Sequence, residues 1–420
     1  MELIELQEKQ APERAVLCGL DTGTYDAEES IRELRELTRT AGAEVIATVI
    51  QPRPSPDAAT YLGPGKLDEL RHFYGGNADL LIIDDEVSPS QQRNIEDFTG
   101  FRVVDRTTLI LDIFAQRART REGKLQVELA QLSYRLPRIG GQGHALSRLG
   151  GGIGTRGPGE SKLESDRRHI MRRMNAIRRE LKGVEKRRTY ARQRRDKTGV
   201  ETAVLIGYTN AGKSTLMNTL TDAGVLTEDK LFATLGPTSR GLRLPSGRTV
   251  MLIDTVGLIR RLPHELVDAF HSTLEEAASA DVILNVVDAS SPACEEHIRV
   301  TEQLLTELGA SEVPVVTIFN KCDRLTADEP LPSRPNSVRI SARSGLGLAA
   351  LEQAIEDALP RDRVHCIYLF PYSDLSPAAD IRSDGTVYSE EYTDAGLRMD
   401  VLSSIRMAGK YEEFLVEREV

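Results

Sequence analysis

The chain has 420 residues, 40% hydrophobic and 28% charged, which allows two to four domains, each large enough to bury a core. It has no apolar run of the roughly 18 residues needed to span a membrane, and Met1-Glu2-Leu3-Ile4-Glu5 lacks the basic region and apolar stretch of a secretion signal. The net charge of −10 is uneven: residues 115–197 hold 23 Lys and Arg against eight Asp and Glu, a local +15 that leaves −25 for the rest.

Such a concentrated basic segment in an acidic chain implies a polyanionic partner for that segment alone. The alternative is a solvated helical face. The four cysteines, Cys18, Cys294, Cys322 and Cys366, share no metal-type spacing and read as reduced, buried thiols of a cytoplasmic protein.

Residues 1–106 alternate strand-like and helix-like stretches. Ala15–Leu20 reads as a strand, Glu28–Thr40 as an amphipathic helix and Ala43–Ile50 as a strand. Leu80–Asp84 is a buried strand, Ser88–Phe98 a helix and Phe101–Asp105 a short strand. This alternation predicts a parallel α/β domain.

Residues 107–198 differ in kind. Leu125, Leu129, Leu132 and Leu136, and later Ile170, Met174, Ile177, Leu181 and Val184, recur at alternating spacings of three and four, the seam of paired helices. The pattern predicts an antiparallel hairpin, one helix over Thr107–Leu136 and the other over Ser161–Arg195, each roughly 45–50 Å long. The glycine-rich connector, Pro137–Glu160, carries Arg138, Arg148 and Arg156 and forms a flexible tip or a plain linker.

Residues 199–361 carry the chemistry. Thr202–Ile206 is a β-branched, apolar strand, followed by Gly207-Tyr208-Thr209-Asn210-Ala211-Gly212-Lys213-Ser214, with Thr215–Leu220 opening a helix. Strand, glycine loop and helix in this order make the phosphate-binding P-loop. Its backbone N–H groups would point at phosphate oxygens. Lys213 would reach the β- and γ-phosphates, and Ser214 would ligate Mg²⁺; the set extends to Thr215. Leu242–Asp254 reads as a hairpin turning at Pro245-Ser246-Gly247. Val282–Val287, Val313–Phe319 and Val338–Ser341 are buried strands, and Leu348–Leu359 a closing helix.

Asp254-Thr255-Val256-Gly257 ends the strand after the hairpin; its carboxylate would hold Mg²⁺ through water, and the Gly257 N–H would meet the γ-phosphate. Asn320-Lys321-Cys322-Asp323 follows another apolar strand. A carboxylate can accept from both guanine N1–H and its exocyclic amine, a donor pair that adenine lacks, so Asp323 predicts GTP over ATP. Asn320 would contact the base or tie its loop to the P-loop, and Ser341-Ala342-Arg343 would back the guanine with a backbone N–H. Between P-loop and hairpin, Phe232-Ala233-Thr234-Leu235-Gly236-Pro237-Thr238 is a switch segment. It must lend Mg²⁺ a hydroxyl only when the γ-phosphate is present; Thr234 is the choice, Thr238 its competitor. Residues 362–420, with Ile367–Phe370 and Leu397–Val401, suggest a small α+β appendage without a chemical motif.

With these motifs in place the chain resembles the HflX family of translation-factor-related GTPases. The resemblance covers nearly the whole length and rests on Tyr61-Leu62-Gly63-Pro64-Gly65-Lys66, Asp84-Asp85-Glu86-Val87-Ser88-Pro89-Ser90-Gln91-Gln92-Arg93-Asn94, Asp105-Arg106-Thr107-Thr108-Leu109-Ile110 and Gly151-Gly152-Ile153-Gly154-Thr155-Arg156-Gly157-Pro158-Gly159-Glu160. It implies an N-terminal α/β domain, a helical linker, a GTPase domain and a small C-terminal domain. It also implies binding to the large (50S) ribosomal subunit and its RNA, with GTP-linked splitting or rescue of stalled ribosomes. Some members of the family are reported to use ATP through the N-terminal domain, but Gly63-Pro64-Gly65-Lys66 is too short for a second P-loop.

Two positions bear on mechanism. Leu258 stands where many GTPases place a water-orienting glutamine, and it has neither donor nor acceptor; the family also keeps a hydrophobic residue here, commonly phenylalanine. Slow intrinsic hydrolysis raised by the ribosome follows. Asn210 stands where cation-dependent relatives carry asparagine, and would either help hold K⁺ near the phosphates or simply order the loop; exchanging K⁺ for Na⁺ in a turnover assay separates these. Gly236 departs from the aspartate common in the family. The catalytic set is thus Lys213, Asn210, Thr234 and Gly257, in a monomer that converts GTP to GDP. The competing readings are a nucleotide-gated factor parked on the large subunit during assembly or stress, and an ATP-using RNA-remodelling protein, which Asp323 disfavours.

Overall fold

A computed structural model describes residues 11–139, 158–198, 201–221, 238–261, 277–326, 330–359 and 363–419. Of the predicted switch segment Phe232–Thr238 only Thr238 is among them, at the start of a strand; the rest lies outside, as do Arg148, Arg156 and most of the glycine-rich connector.

The N-terminal sheet is fully parallel, in the order β2-β1-β3-β4, built from β1 (Arg14–Asp21), β2 (Glu44–Pro52), β3 (Leu80–Ile83) and β4 (Arg102–Asp105). Helices α1 (Ala27–Thr40), α2 (Pro64–Tyr74) and α3 (Pro89–Thr99) connect the strands. Alternate residues of β1 therefore feed two cores. Ala15 and Leu17 pack with Ile31, Leu34 and Leu37 of α1, while Val16, Cys18 and Leu20 pack with Leu67, Leu70 and Ile95 of α2 and α3. Helix α2 is an addition to the sequence reading. Gly63-Pro64-Gly65-Lys66 starts it, with Gly63 as N-cap and Pro64 in the first turn, where a proline costs no hydrogen bond.

The expected first arm of the hairpin, Thr107–Leu136, is two helices: α4 (Arg106–Arg117) and α5 (Arg121–Arg138). The apolar periodicity runs on through both, but the Thr120 side chain accepts the Gly123 N–H and caps a new helix. The second arm, α6, is longer than expected, Pro158–Thr198. The arms are antiparallel: Arg121 pairs with Glu180 at 2.8 Å, and Glu128, seven residues later, with Arg173, seven residues earlier, at 2.6 Å. Leu125, Met174 and Ile177 are buried, whereas Leu129, Leu132 and Leu136 are only half-buried. The most buried stripe of α5, Val127, Ala130 and Tyr134, packs instead into the N-terminal core. Arg138, expected in the flexible connector, sits in the last turn of α5. There it bonds Glu86 at 2.9 Å and the Val87 carbonyl at 3.2 Å, and its guanidinium stacks over Tyr134.

The second sheet has the order β10-β9-β8-β5-β7-β6. Its strands are β5 (Glu201–Ile206), β6 (Thr238–Arg243), β7 (Thr249–Asp254), β8 (Val282–Asp288), β9 (Val315–Asn320) and β10 (Ser337–Arg339). Only β6 runs antiparallel, as the hairpin partner of β7, with Gly247 at φ 88° in the turn. The chain leaves β5 toward β7 and returns on the other side at β8, so the carboxyl end of β5 is a topological switch point, where open α/β sheets hold ligands. The last sheet is antiparallel, β12-β13-β11-β14, from β11 (Arg363–Phe370), β12 (Thr386–Thr393), β13 (Gly396–Ser404) and β14 (Leu415–Glu419), and packs two short helices into its own core. Among the described residues no helix is long and apolar enough to cross a membrane.

Candidate functional site

The glycine loop follows β5 and leads into helix α7 (Lys213–Thr221). Two glycines are required by close approach. A Cβ on Gly207, at φ 147°, would lie 2.1 Å from the Val286 carbonyl oxygen, and one on Gly212, at φ 98°, would lie 2.2 Å from the Asn320 amide nitrogen. Lys213 is buried, and its ammonium donates to the carbonyls of Gly207 and Tyr208, each at 2.8 Å. Burial pushes its pKa down to about 8, opposed only by the charge of Asp254. Asn210 is exposed at the mouth of the loop in the left-handed region, φ 61°. Thr209 and Thr215 are half-buried.

The Ser214 hydroxyl donates to Asp254 at 2.9 Å. A hydroxyl and a carboxylate side by side are hard oxygen donors, the kind Mg²⁺ prefers. Among the described residues no trio of His, Cys, Asp or Glu could hold a metal alone. Beyond Asp254, Thr255 donates to the Leu205 carbonyl at 2.7 Å. Gly257 lies against the P-loop; a Cβ there would sit 2.7 Å from the Thr209 methyl and 3.1 Å from the Lys213 ammonium nitrogen. The next residue is fixed by a two-bond bridge, in which Thr209 N–H donates to the Leu258 carbonyl at 2.7 Å and Leu258 N–H to the Gly207 carbonyl at 3.0 Å. The Leu258 side chain is buried among Val204, Ile206 and Tyr208, so it has nothing to offer a water molecule.

Asn320 resolves the choice left open by its sequence. Its amide nitrogen donates to the Ala211 carbonyl at 2.8 Å, and its amide oxygen accepts the Ala342 N–H at 2.9 Å. It thus staples the P-loop to the Ser341-Ala342-Arg343 loop. Thr219 adds a second tie, to the Ala342 carbonyl at 2.9 Å. Lys321, at φ 65°, extends to Asp288 at 2.6 Å. Asp323 is exposed, and a hydrogen bond from Ser341 holds its carboxyl below the usual range. Cys322 bonds through its N–H to the Ile340 carbonyl at 3.0 Å. The four cysteines are free thiols.

The structure therefore brings together the P-loop, Asp254–Gly257, Asn320–Asp323 and Ser341–Arg343 at one sheet edge. Three features were not anticipated. Tyr208 stacks on His297, with centroids 3.8 Å apart, and burial together with the charge of Arg260 holds that imidazole down to about 4. Lys321 pairs with Asp288. The third is that the residues flanking Gly257 and Leu258 enter the N-terminal domain: Val256 and Ile259 belong to the same core as Leu17, Ile31, Leu34 and Phe114. The one available signal was the placement of Asp84, Asp105 and Arg106 directly behind apolar strands.

This arrangement on this sheet defines a P-loop GTPase. Residues 28–115 match the family described as GTP-binding GTPase N-terminal, residues 117–195 the GTP-binding GTPase Middle Region, and residues 202–321 the 50S ribosome-binding GTPase. The chain is similar to GTPase HflX of Caldanaerobacter subterraneus, 49% identical over 96% of this chain and 94% of that one. It is similar also to GTPase HflX of Escherichia coli, 43% identical over 83% of each chain. It belongs to the HflX family of GTPases, and its reaction is the hydrolysis of GTP. A GTP-binding protein of Sulfolobus solfataricus, solved with GDP, is 26% identical and covers 82% of this chain and 98% of its own, with a TM-score of 0.45.

Proposed function

We propose that this GTPase binds the large ribosomal subunit through its basic hairpin and uses GTP to split or rescue stalled ribosomes in the cytoplasm. The observation that carries this reading is the charge of α6. Arg167, Arg168, Arg172, Arg178 and Arg179 are all exposed along it, while Glu128 and Glu180 of the hairpin pair with Arg173 and Arg121. A rod with an excess of positive charge suits the phosphates of an RNA groove.

Within the site, the N–H groups of Gly207–Thr215 cradle the phosphates and Lys213 reaches the β- and γ-phosphates. Ser214, and Asp254 through water, would hold Mg²⁺, with Thr234 as the switch hydroxyl; the ion would supply charge neutralisation. The Gly257 N–H faces the γ-phosphate, Asp323 selects guanine, and the Ala342 loop backs it. The buried Leu258 side chain offers the attacking water no group to orient it, so turnover is slow until the ribosome provides one.

Sucrose-gradient profiles of 70S ribosomes with the protein and either GTP or a non-hydrolysable analogue test this. Dissociation with both nucleotides is expected, with hydrolysis resetting the protein. Intact 70S particles in both samples would reject splitting and leave a factor that merely parks on the large subunit.

A further inference from the structure

The N-terminal sheet has a switch point of its own, between β1 and β3, and the carboxyl ends there are acidic. Asp84 and Asp85 follow β3, Asp105 ends β4 with Arg106 next to it, and Glu33 of α1 faces them. What fills this crevice is not a ligand but the segment that follows Gly257. Arg261 donates to Ser30 at 2.6 Å and to Asp84 at 3.1 Å, and its guanidinium lies 4.4 Å above the Tyr25 ring. The backbone of Arg260 is held on both sides. Its N–H donates to Glu33 at 3.2 Å, and its carbonyl accepts from Arg106 at 3.3 Å. Arg106 in turn bridges Asp84 at 2.7 Å and Glu33 at 3.1 Å and is almost wholly buried, 3% exposed. The Arg260 side chain pairs with Glu296 of the GTPase domain.

The grip is thus continuous. Val256 and Ile259 lie in the N-terminal core, Arg260 and Arg261 in the N-terminal acidic crevice, and between them Gly257 and Leu258 lie on the P-loop. Packed elements of this kind move as units rather than deform. A shift of Gly257 by a fraction of an ångström must be borne by two apolar anchors and a buried ion network.

We propose that Glu33, Asp84 and Arg106 are positioning residues for GTP hydrolysis: they hold Arg260 and Arg261, and through them keep Gly257 docked where the γ-phosphate arrives. The inference rests on the placement of Gly257 at the γ-phosphate given above, and not on any ribosomal role. The N-terminal domain then contributes to telling GTP from GDP, because only GTP has the group that Gly257 meets.

The test compares Arg106→Met, Arg106→Lys and Arg261→Gln in the full chain, with fluorescent GDP and GTP analogues and single-turnover hydrolysis. Arg261→Gln is included because its side chain is 36% exposed, so its removal leaves both cores intact should Arg106→Met fail to fold. In Arg106→Met and Arg261→Gln the rate constant is expected to fall at least fivefold and the preference for GTP over GDP to shrink, with GDP affinity within twofold of the parent. Arg106→Lys, which restores the charge without the planar fork, should recover part of the loss. A folded Arg261→Gln with unchanged rate and unchanged preference overturns the proposal. So does a raised rate, which would make the contact a restraint, or an equal loss of GDP and GTP binding, which would mark general damage. Gly257→Ala separates the premise: if it leaves the GTP preference intact, Gly257 does not meet the γ-phosphate, whatever Arg106 does.

Discussion

The molecule contains two parallel sheets whose carboxyl edges have been put to opposite uses. At the end of β5 the chain presents glycines, backbone N–H groups, a lysine and a helix N-terminus, all suited to an anion. Around the ends of β1 and β3 it presents Glu33, Asp84 and Asp85, suited to cations, and the cations are the protein's own Arg106 and Arg261. The same architecture offers a crevice at the same place in both; the side chains behind each strand decide what fills it. One edge is left for a nucleotide, and the other is closed by the segment that must respond to that nucleotide.

The comparison breaks most readily at the base. If the anion-binding edge also selects guanine through Asp323, then Asp323→Asn replaces an acceptor of two donors by a group that faces one of them with its own N–H. GTP affinity is expected to fall on the order of 100-fold, more than a neutral hydrogen bond is worth, because the guanine donors are left unpaired against a donor. Competition binding with GTP and xanthosine triphosphate measures this, and the variant should gain affinity for xanthine, whose 2-oxo group accepts. Equal GTP affinity in parent and variant would remove Asp323 from the site.

Asp323 was legible because its chemistry is local: a short polar motif at the end of an apolar strand, read with the P-loop and Asp254. The same holds for the parallel order of the strands, which the alternation of β and α periods implies. The acidic crevice was not legible. Arg106 and the Arg260 carbonyl are 154 positions apart, and no local pattern marks Val256 and Ile259 as residues of another domain's core. They are apolar, as a strand end should be, whichever core they enter. The break between α4 and α5 was hidden for a different reason. Ala118-Arg119-Thr120 contains neither glycine nor proline, and apolar periodicity continues on both sides; only the Thr120 cap interrupts the helix. Helix α2 offered just two buried leucines, Leu67 and Leu70, too few to reveal its period.

A smaller effect sharpens the electrostatic half of the comparison. Lys213 titrates near 8 in the nucleotide-free protein because burial disfavours its charge. Phosphates at the loop favour the ammonium and raise its pKa in the complex. Below pH 8 the lysine is protonated both free and bound, so affinity does not change with pH through this group. Above pH 8 the free protein has lost a proton that binding must restore, and affinity falls by up to about tenfold per pH unit. Calorimetry of GDP binding in buffers of different ionisation enthalpy should therefore find almost no proton uptake at about pH 7 and uptake approaching one proton at about pH 9. Uptake that is the same at both would mean that the ammonium is not desolvated in the empty loop.

The smallest effect belongs to the cation-binding edge, at Tyr25. Its ring lies under the Arg261 guanidinium, and its hydroxyl donates to the Leu20 carbonyl at 2.9 Å. Two substitutions divide these contributions. Tyr25→Phe keeps the ring and loses the hydrogen bond, whereas Tyr25→Leu loses both, so their difference reports the ring beneath the arginine. An interaction of this kind at a partly exposed site contributes about 0.5–1 kcal/mol, against about 1 kcal/mol for the hydrogen bond. Urea unfolding resolves both steps, provided the slope of the transition is unchanged. Because Asp84 and Ser30 still hold Arg261 in each variant, hydrolysis should be less affected than in Arg261→Gln. If Tyr25→Leu instead matched Arg261→Gln in rate, the carboxylates would not be what holds the arginine, and the two edges would differ by their aromatic contact rather than by their charge.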